Sequence, residues 1–286
     1  MARRFAVVNQ KGGVGKTTTA VNLAACAGSD GVRTLLVDLD AQGNATSGLG
    51  VERAQLEACM YDVLTSSESG QDAVGLRDII VGTAVENLDV APATIDLAGA
   101  DLSLANAIAR EMRLRRALLS VDSDYDLIII DTGPSLGILT VNSLSAAQEV
   151  IIPIQCEYYA LEGLSQLLDV VSLVRQQINP DLKIAGAVLT MYDARTRLAS
   201  DVLEEVRRTF PGRVFETIIP RNVRLAEAPS YGMPIILYDP SCAGAQAYVQ
   251  LYREVLVDEA ARTGTGIVGT NLGDSGNPDR SNGDTD

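Results

Sequence analysis

The chain has 286 residues, of which 47% are hydrophobic, carries a formal net charge of −14, and contains no tryptophan and no histidine. This length holds one large α/β domain or two smaller ones around a sizeable aliphatic core. The acidic balance argues against a generally basic surface for nucleic acid, and the lack of histidine excludes His-dependent catalytic triads, metal sites and pH switches.

Short apolar runs alternate with helical patterns along the chain. The runs typical of strands buried on both faces are Phe5–Val8, Arg33–Val37, Leu88–Pro92, Leu127–Ile130, Val150–Ile154, Lys183–Thr190 and Val214–Ile219. Helical spacing predicts helices at Thr19–Ala25, Leu102–Ser120, Leu139–Ala147, Leu161–Gln177, Ser200–Phe210 and Ala243–Ala261. Strands of this kind separated by helices indicate an α/β fold, a single doubly wound and mostly parallel sheet with helices on both faces.

The composition changes at residue 263, and this change sets the predicted domain organisation. Residues 1–262 contain no linker and no internal repeat, and we interpret them as one domain. Residues 263–286 are rich in Gly, Asn, Asp, Ser and Thr and nearly without apolar side chains, so we expect a disordered acidic and polar tail.

The run Lys11-Gly12-Gly13-Val14-Gly15-Lys16-Thr17-Thr18 stands between the first predicted strand and the first predicted helix. A phosphate-binding loop requires this context, because backbone N–H groups and the positive end of the helix converge there. We expect the run to bind a nucleotide, with Lys16 on its β- and γ-phosphates and the Thr17 hydroxyl in a Mg²⁺ shell.

A second lysine distinguishes this loop from the common G-x-x-x-x-G-K-T pattern. Gln10 stands where that pattern has its first glycine, and Lys11 enters the loop instead. Two lysines at opposite ends of a tight loop do not easily serve the same phosphates. We therefore expect Lys11 to point elsewhere, including into a neighbouring subunit.

Acidic residues follow two of the predicted strands. Asp38 and Asp40 come at the end of the second strand, at the sheet edge where ligands bind in parallel α/β folds. One of them can orient Mg²⁺ through water while the other positions the attacking water. Asp131 follows the apolar run Leu127–Ile130 in the Walker B pattern, which places a carboxylate in the Mg²⁺ shell. The next residues, Thr132–Ser135, form a tight loop that can sense the γ-phosphate.

The segment from Arg195 to Arg224 is locally basic. It contains seven arginines and four acids, a balance of +3 in a chain of −14. A basic face on an acidic protein is typical of a polyanion-binding surface. Pairs such as Glu204 with Arg207 or Arg208 favour instead a solvent-exposed helix face for those two arginines, and both interpretations stay open for them.

Taken together, these motifs resemble a known family. The run Lys11–Thr18, the triplet Asp38-Leu39-Asp40 and Asp131 resemble the deviant Walker A ATPases, the ParA/MinD group. The likeness covers about residues 3–260. Three further stretches resemble the chromosomal ParA (Soj) branch of that group, namely Gln155–Gly163, Met191–Arg195 and Ile219–Ser230.

The resemblance implies a Mg²⁺-dependent ATP hydrolase with residues 1–262 as its P-loop ATPase domain. It implies a homodimer closed over two ATP molecules, in which Lys11 reaches the phosphates of the other subunit. It also implies slow hydrolysis that a ParB-type protein stimulates, and sequence-nonspecific binding of duplex DNA by the ATP-bound dimer. We therefore expect a protein of the cytoplasm and nucleoid that partitions a chromosome or a plasmid.

The resemblance and the spacing together assign roles to individual residues. The expected catalytic residues are Lys11, Lys16 and Asp40. The expected metal ligands are Thr17, Asp38 and Asp131. Besides the run Lys11–Thr18, the nucleotide is expected to contact Pro220 and Asn222, which match family positions near the adenine. The expected DNA-binding residues are Arg195, Arg197, Arg221 and Arg224.

Two departures from the family pattern fall in switch loops. Ala41 stands where a proline is usual, and Thr132-Gly133-Pro134 stands where x-Pro-Pro is usual. These departures bear on the rate of hydrolysis and on the rigidity of the switch loops more than on nucleotide binding.

Three other functions agree with the sequence less well than partitioning does. The alternative is a MinD-like membrane-cycling ATPase that positions division, but MinD relatives end in a basic amphipathic helix, and the run Gly273–Asp279 is acidic and poor in apolar residues. A plasmid-type repressor lacks room here for an N-terminal helix-turn-helix, and Lys11 argues against a metabolic P-loop kinase.

Cysteine spacing and hydropathy bear on the compartment. The four cysteines lie far apart without a CxxC pair, which favours a reduced cytosolic protein. No apolar run is long enough to span a bilayer, and the chain enters its first strand by about Phe5, so we expect neither a membrane partner nor a signal peptide.

Overall fold

The computed structural model describes residues 1–66, 73–157 and 163–257. The predicted tail of residues 263–286 and the last residues of the predicted domain, 258–262, lie outside the described residues. Within the described ranges, no helix combines the length and the apolar character needed to cross a membrane.

Eight strands are found in the described residues. They are β1 Arg3–Val7, β2 Thr34–Leu39, β3 Val81–Gly82, β4 Leu88–Ala91, β5 Leu127–Thr132, β6 Glu149–Gln155, β7 Lys183–Tyr192 and β8 Val214–Pro220. They form one sheet in the order β3-β4-β2-β5-β1-β6-β7-β8, in which only β3 and β4 pair antiparallel. The predicted doubly wound, mostly parallel sheet is therefore confirmed.

Helices connect the strands. The α-helices in the described residues are α1 Lys16–Ser29, α2 Asn44–Gly48, α3 Met60–Thr65, α4 Leu76–Ile79, α5 Ala100–Ser103, α6 Arg113–Leu118, α7 Ile138–Ala146, α8 Leu164–Gln177, α9 Arg197–Thr209, α10 Val223–Glu227, α11 Ile235–Tyr238 and α12 Ala243–Tyr252. Turns of 3₁₀-helix lie at Arg53–Gln55, Ile95–Gly99, Arg110–Met112 and Ala228–Tyr231, and a π-helical turn at Arg253–Val257 follows α12.

The central strand β1 contributes side chains to two separate apolar cores. Ala6 belongs to the core that includes Leu167 of α8, whereas its neighbour Phe5 belongs to the core that includes Leu23 of α1 and Leu251 of α12. Successive side chains of a strand point to opposite faces of the sheet, so the two cores lie on opposite faces. Helices cover both faces and leave the carboxyl ends of the strands for a ligand site.

The predicted helix Leu102–Ser120 is wrong, because this stretch is broken into α5, a 3₁₀ turn and α6. Ala109 has a φ of 50°, in the left-handed region, so the helical path stops before α6. Leu102 and Ile108, which contributed to the helical spacing, are exposed. The apolar spacing was therefore not produced by one continuous buried face.

Smaller differences concern element ends. α9 begins at Arg197 rather than at Ser200, because the Thr196 side chain accepts a hydrogen bond from the backbone N–H of Ala199 and caps the helix there. The two-residue strand β3 is too short to give a sequence pattern. The predicted starts and ends at 161–162 and 258–261 lie outside the described residues.

A glycine in α1 allows a close approach between that helix and the turn before β4. A Cβ on Gly28 would lie 2.7 Å from the carbonyl oxygen of Glu86 and 3.1 Å from the Cβ of Leu88. We expect Gly28→Ala to lower the free energy of unfolding by about 1–3 kcal/mol, as overpacking does, in urea denaturation. Gly48→Ala in α2, where the nearest atom is 4.0 Å away, is the control and should change it by less than about 1 kcal/mol. An equal free energy of unfolding for the two variants would show that the neighbours of Gly28 can move aside for a methyl group without strain.

Candidate nucleotide site and arginine surface

The predicted phosphate-binding run Lys11–Thr18 lies at the carboxyl end of the central strand β1, and its last three residues begin α1. Gly13 and Gly15 have φ values of 75° and 87°, a backbone region that glycine adopts without steric cost. The Thr190 hydroxyl at the end of β7 donates a hydrogen bond to the Val14 carbonyl oxygen at 2.8 Å. The loop is therefore held in shape by a neighbouring strand as well as by its own glycines.

Lys16 is the first residue of α1 and is only 6% exposed. Its Nζ donates a hydrogen bond to the Lys11 carbonyl oxygen at 3.1 Å. Burial lowers the pKa of Lys16, while the carboxylates of Asp131 and Asp40 act in the opposite direction. A phosphate bound in this loop would add further negative charge beside the ammonium group, which favours its charged form.

The register of the sheet brings two predicted acids together. Asp38 on β2 is aligned with Asp131 on β5, and both are fully buried. Asp38 accepts hydrogen bonds from the backbone N–H of Asp40 (3.0 Å), from the backbone N–H of Thr46 (2.9 Å) and from the Thr46 hydroxyl (2.8 Å). Burial raises the pKa of Asp38 to about 6, although these hydrogen bonds oppose the rise. Asp38 thus holds the loop after β2 and is largely satisfied by it.

Asp131 differs, because neither of its buried carboxylate oxygens has a hydrogen-bond partner among the residues that the structure describes. Burial raises the pKa of Asp131 well above its usual range, and the charge of Asp38 adds to the rise. The Thr17 hydroxyl lies beside this carboxylate and partly offsets the rise, but its geometry falls short of a hydrogen bond. A buried carboxylate without partners is costly unless a cation or a donor joins it, so Asp131 and Thr17 fit a Mg²⁺ site.

The protein supplies few ligands for such a cation. No group of three or more His, Cys, Asp or Glu side chains in the described residues is arranged to hold a metal ion. Mg²⁺ in nucleotide sites commonly takes one or two protein ligands and completes its shell with phosphate oxygens and water. The oxygen donors of Thr17, Asp131 and the neighbouring Asp38 are consistent with this mode of Mg²⁺ coordination.

A cavity of about 540 Å³ lies over the loop, a volume within the usual range for small-molecule sites. Of the residues predicted to bind nucleotide or metal or to act in catalysis, those that line it are Gly12, Gly13, Gly15, Lys16, Thr17, Thr18, Asp40, Pro220 and Asn222, and the predicted DNA-binding residue Arg221 lines it as well. Lys11 and Val14 are not among its lining residues, and Val14 is buried within the loop. The sheet therefore gathers residues from positions 12 to 222 around one cavity.

Asp40 lines this cavity directly, in contrast to Asp38 beneath it. Its Oδ1 accepts a hydrogen bond from the backbone N–H of Gln42 at 3.0 Å, which orients the carboxylate. A Cβ on Gly133 would lie 3.4 Å from the carboxylate of Asp40. The glycine at this departure from the family pattern therefore leaves room beside the acid that faces the cavity.

The cavity wall also contains residues that were not predicted as part of the site, among them Met191 and Tyr248. Met191 stands at the end of β7 with a φ of 52°, a left-handed conformation that is uncommon for this residue type. Tyr248 comes from α12, is 1% exposed, and places its hydroxyl 3.3 Å from the Thr19 hydroxyl. Met191 begins the stretch Met191–Arg195 that resembles the ParA branch, but no role in nucleotide binding was predicted for it. Tyr248 belongs to no motif, because its place at the cavity depends on long-range packing of α12.

The four predicted DNA-binding arginines lie in the two segments that follow the neighbouring strands β7 and β8. Arg195 and Arg197 follow β7, while Arg221 and Arg224 follow β8, so all four lie at the edge of the sheet that carries the cavity. Their side chains are between 53% and 94% exposed. The backbone N–H of Arg221 donates to the carbonyl oxygen of Tyr192 at 2.9 Å, which joins the residue after β8 to the end of β7.

The other arginines of the basic segment, Arg207, Arg208 and Arg213, form ion pairs with acidic residues of the protein. Arg208 pairs with Glu205, and Arg207 pairs with Glu216 at 3.3 Å, rather than either pairing with Glu204. Arg213 pairs with Glu254 at 3.1 Å and lies over the ring of Phe215. These contacts favour the solvated-face interpretation for Arg207 and Arg208, and a packing role for Arg213.

Comparison with known proteins places this architecture among relatives. A family model described as an AAA domain matches residues 2–184. The sporulation initiation inhibitor protein Soj of Bacillus subtilis is 59% identical over 255 residues, which are 89% of this chain and 98% of that protein. The chromosome partitioning protein ParA of Myxococcus xanthus is 52% identical over 256 residues, 90% of this chain and 88% of that protein.

A solved structure agrees with the fold. Cobyrinic acid a,c-diamide synthase from Mycobacterium smegmatis, with bound ADP and magnesium, superposes with a TM-score of 0.79 at 39% identity, over 92% of this chain and 97% of that chain. The two relatives named for Soj and ParA match this chain at higher identity than that structure does. The resemblance inferred from the loop and the acids is confirmed, and the chain belongs to the ParA/Soj family of chromosome-partitioning ATPases.

Proposed function

We propose that this ATPase partitions a chromosome or a plasmid by coupling its ATP site to a DNA surface. With ATP and Mg²⁺ bound it forms a homodimer that binds duplex DNA of any sequence, and a ParB-type protein stimulates hydrolysis. The observation that supports this most is that the ends of β7 and β8 border the nucleotide cavity, while the segments that follow these two strands carry four exposed arginines. The corresponding location is the cytoplasm, at the nucleoid.

In this proposal the nucleotide occupies the 540 Å³ cavity, with its phosphates against the run Lys11–Thr18 and its adenine near Pro220 and Asn222. Lys16 neutralises charge on the β- and γ-phosphates, and Asp40 orients the attacking water. Mg²⁺ held by Thr17, Asp131 and Asp38 supplies neutralisation of the phosphate oxygens when it is bound.

Lys11 is proposed to act across the dimer. Its backbone is fixed, because its N–H donates to Asn9 Oδ1 at 2.9 Å and its carbonyl oxygen accepts from Lys16. Its side chain is partly exposed and does not line the cavity of its own subunit. A lysine in that place is free to serve phosphates in the other subunit.

We expect Lys11→Ala to bind nucleotide but to lose both ATP-dependent dimers and hydrolysis, because the contact that joins the two subunits through phosphate is removed. Sedimentation with a nonhydrolysable ATP analogue measures the dimer. Lys183→Ala, which removes an exposed lysine at the start of β7, is the matched control and should dimerise like the parent. A normal dimer in the Lys11 variant would restrict that residue to a local role.

The DNA surface must work against the acidic net charge of −14, which repels phosphate over most of the molecule. A single copy of the arginine surface should therefore bind DNA poorly. A dimer presents two copies to the same duplex and raises affinity without any new contact. This is the physical reason to expect DNA binding only when ATP closes the dimer.

We expect Arg224→Ala to weaken binding of the ATP-bound dimer to every duplex sequence and to flatten the dependence of log affinity on log salt by about 0.9 per lost phosphate contact. Arg195→Ala should behave alike, and both variants should keep basal ATPase activity and dimerisation. Arg208→Ala, whose side chain pairs with Glu205 on α9, is the control and should bind like the parent. Parental binding by both loop variants would move the DNA surface elsewhere.

The proposed function as a whole is tested by the rate of ATP hydrolysis alone, with duplex DNA, and with DNA and the ParB-type protein encoded beside this chain. We expect the rate to rise when that protein and DNA are both present. Absence of ATP-dependent DNA binding even at low salt would overturn the partitioning function. ATP-dependent binding to anionic lipid vesicles in its place would indicate the MinD-like alternative.

A further inference from the structure

The four exposed arginines are each held by carboxylates in this structure. Three of them pair close by in sequence, Arg195 with Asp193 at 2.7 Å, Arg197 with Asp201 at 3.9 Å, and Arg224 with Glu227 at 2.9 Å. Arg224 also lies 3.6 Å from Asp239. A DNA phosphate that binds these arginines therefore has to compete with acids of the protein itself.

The fourth pair has a different origin. Arg221 Nη2 lies 2.8 Å from Glu157 Oε1, and the two residues are 64 positions apart. Glu157 follows β6 and Arg221 follows β8, so the pair crosses the end of the intervening strand β7. An acid within four residues of its arginine belongs to the same segment and stays near that arginine when the segment moves. The Glu157–Arg221 pair instead joins two segments that are distant in the sequence, so it lasts only while these two residues stay close together.

Arg221 also belongs to the nucleotide cavity. It is one of the lining residues and stands between Pro220 and Asn222, which the proposed function places near the adenine. On the other side, the backbone N–H of Cys156, next to Glu157, donates to the carbonyl oxygen of Thr190, the residue whose hydroxyl holds the phosphate loop. Arg221 thus lines the nucleotide cavity itself, and Glu157 is next to Cys156, which is hydrogen-bonded to the lining residue Thr190.

We propose that Glu157 is a positioning residue that holds Arg221 away from DNA until nucleotide binding and dimerisation separate these two side chains. This inference rests on the proposed DNA-binding function. With Glu157 engaged, its carboxylate occupies the guanidinium group that would bind a phosphate. Once the Glu157–Arg221 pair separates, Arg221 joins the other three arginines on the DNA surface.

The size of the effect follows from the exposure of the pair. Arg221 and Glu157 are 55% and 45% exposed, and such surface ion pairs are weak. We expect Glu157→Gln to raise the affinity of the nucleotide-free protein for a duplex of random sequence by about twofold to fivefold at low salt. With a nonhydrolysable ATP analogue, the increase in DNA affinity should be no larger than that of a charge-matched control variant. The ratio of DNA affinity with the analogue to DNA affinity without nucleotide should therefore be smaller in Glu157→Gln than in the parent.

Two control variants separate this role from a general loss of negative charge. Glu216→Gln makes the same change in charge at an acid that pairs with Arg207, outside the DNA-binding set. Asp193→Asn removes an acid that moves together with Arg195, and should change DNA affinity alike with and without nucleotide. Only Glu157→Gln is expected to act mainly in the nucleotide-free state.

A double-mutant cycle tests whether Glu157 acts through Arg221. In an Arg221→Ala background, Glu157→Gln should no longer change DNA affinity beyond the Glu216→Gln control. An unchanged ratio between nucleotide states in Glu157→Gln, or the full effect without Arg221, would overturn the proposal while the proposed function stands. A parent protein that binds no DNA with ATP analogue overturns the proposed function itself, and this inference with it.

Discussion

Lys16→Ala is expected to abolish ATP binding. Lys16 is the buried ammonium of the phosphate loop, held at the start of α1 with its Nζ on the Lys11 carbonyl oxygen. Hydrogen bonds to charged groups are worth about 1.5–3 kcal/mol each, so loss of its contacts with the β- and γ-phosphates corresponds to a decrease in affinity of roughly 10²- to 10⁴-fold. Titration calorimetry with ATP and Mg²⁺ measures the decrease directly.

The control for that experiment is Lys183→Ala, because Lys183 is exposed at the first position of β7 and lies far along the strand from the cavity. It should bind ATP like the parent. Far-ultraviolet circular dichroism of the Lys16 variant checks that the loss is not unfolding. Near-parental affinity in a folded Lys16 variant would refute the assignment of the phosphate loop.

Asp40→Ala is expected to stop turnover while ATP still binds and dimers still form. Asp40 faces the cavity, whereas Asp38 lies beneath it with its oxygens engaged by the backbone of Asp40 and by Thr46. A residue that orients the attacking water contributes typically 10²- to 10⁴-fold to the rate, so the variant should remain ATP-bound and dimeric, with DNA binding intact. Single-turnover hydrolysis of radiolabelled ATP gives the chemical rate.

Asp40→Asn is the matched variant, since its side-chain oxygen can still accept the hydrogen bond from Gln42 N–H that shapes the loop. If Asn behaves like Ala, the loss belongs to the carboxylate and not to the loop. Turnover at the parental rate in both variants would remove Asp40 from the mechanism and direct attention to Asp38.

Much of the candidate site was predictable because its signals are local. The phosphate loop is one continuous run, and the acids Asp38 and Asp131 end apolar strands, so parallel pairing alone brings them together. The strand pattern likewise gave the sheet, because strands buried on both faces are continuous apolar runs. The roles of these residues in binding and hydrolysis stay predictions.

Other features depend on packing that no short pattern encodes. The break of the predicted helix Leu102–Ser120 comes from the left-handed backbone of Ala109, a conformation with no marker in an alanine side chain. The distinction between a satisfied Asp38 and an unpartnered Asp131 depends on Thr46, eight residues after Asp38. The partner of Arg221 lies 64 residues away, so the charge balance of the segment did not reveal it.

Tyr248 has a consequence for the order in which the molecule becomes functional during synthesis. The phosphate loop leaves the ribosome first, but the cavity wall needs Tyr248 of α12, and the core around α1 needs Leu251 of the same helix. Because a ligand stabilises only the state that binds it, ATP can favour the finished domain and not a nascent fragment. We therefore expect a growing chain that already carries the loop to bind ATP firmly only after α12 has been synthesised and has folded onto α1.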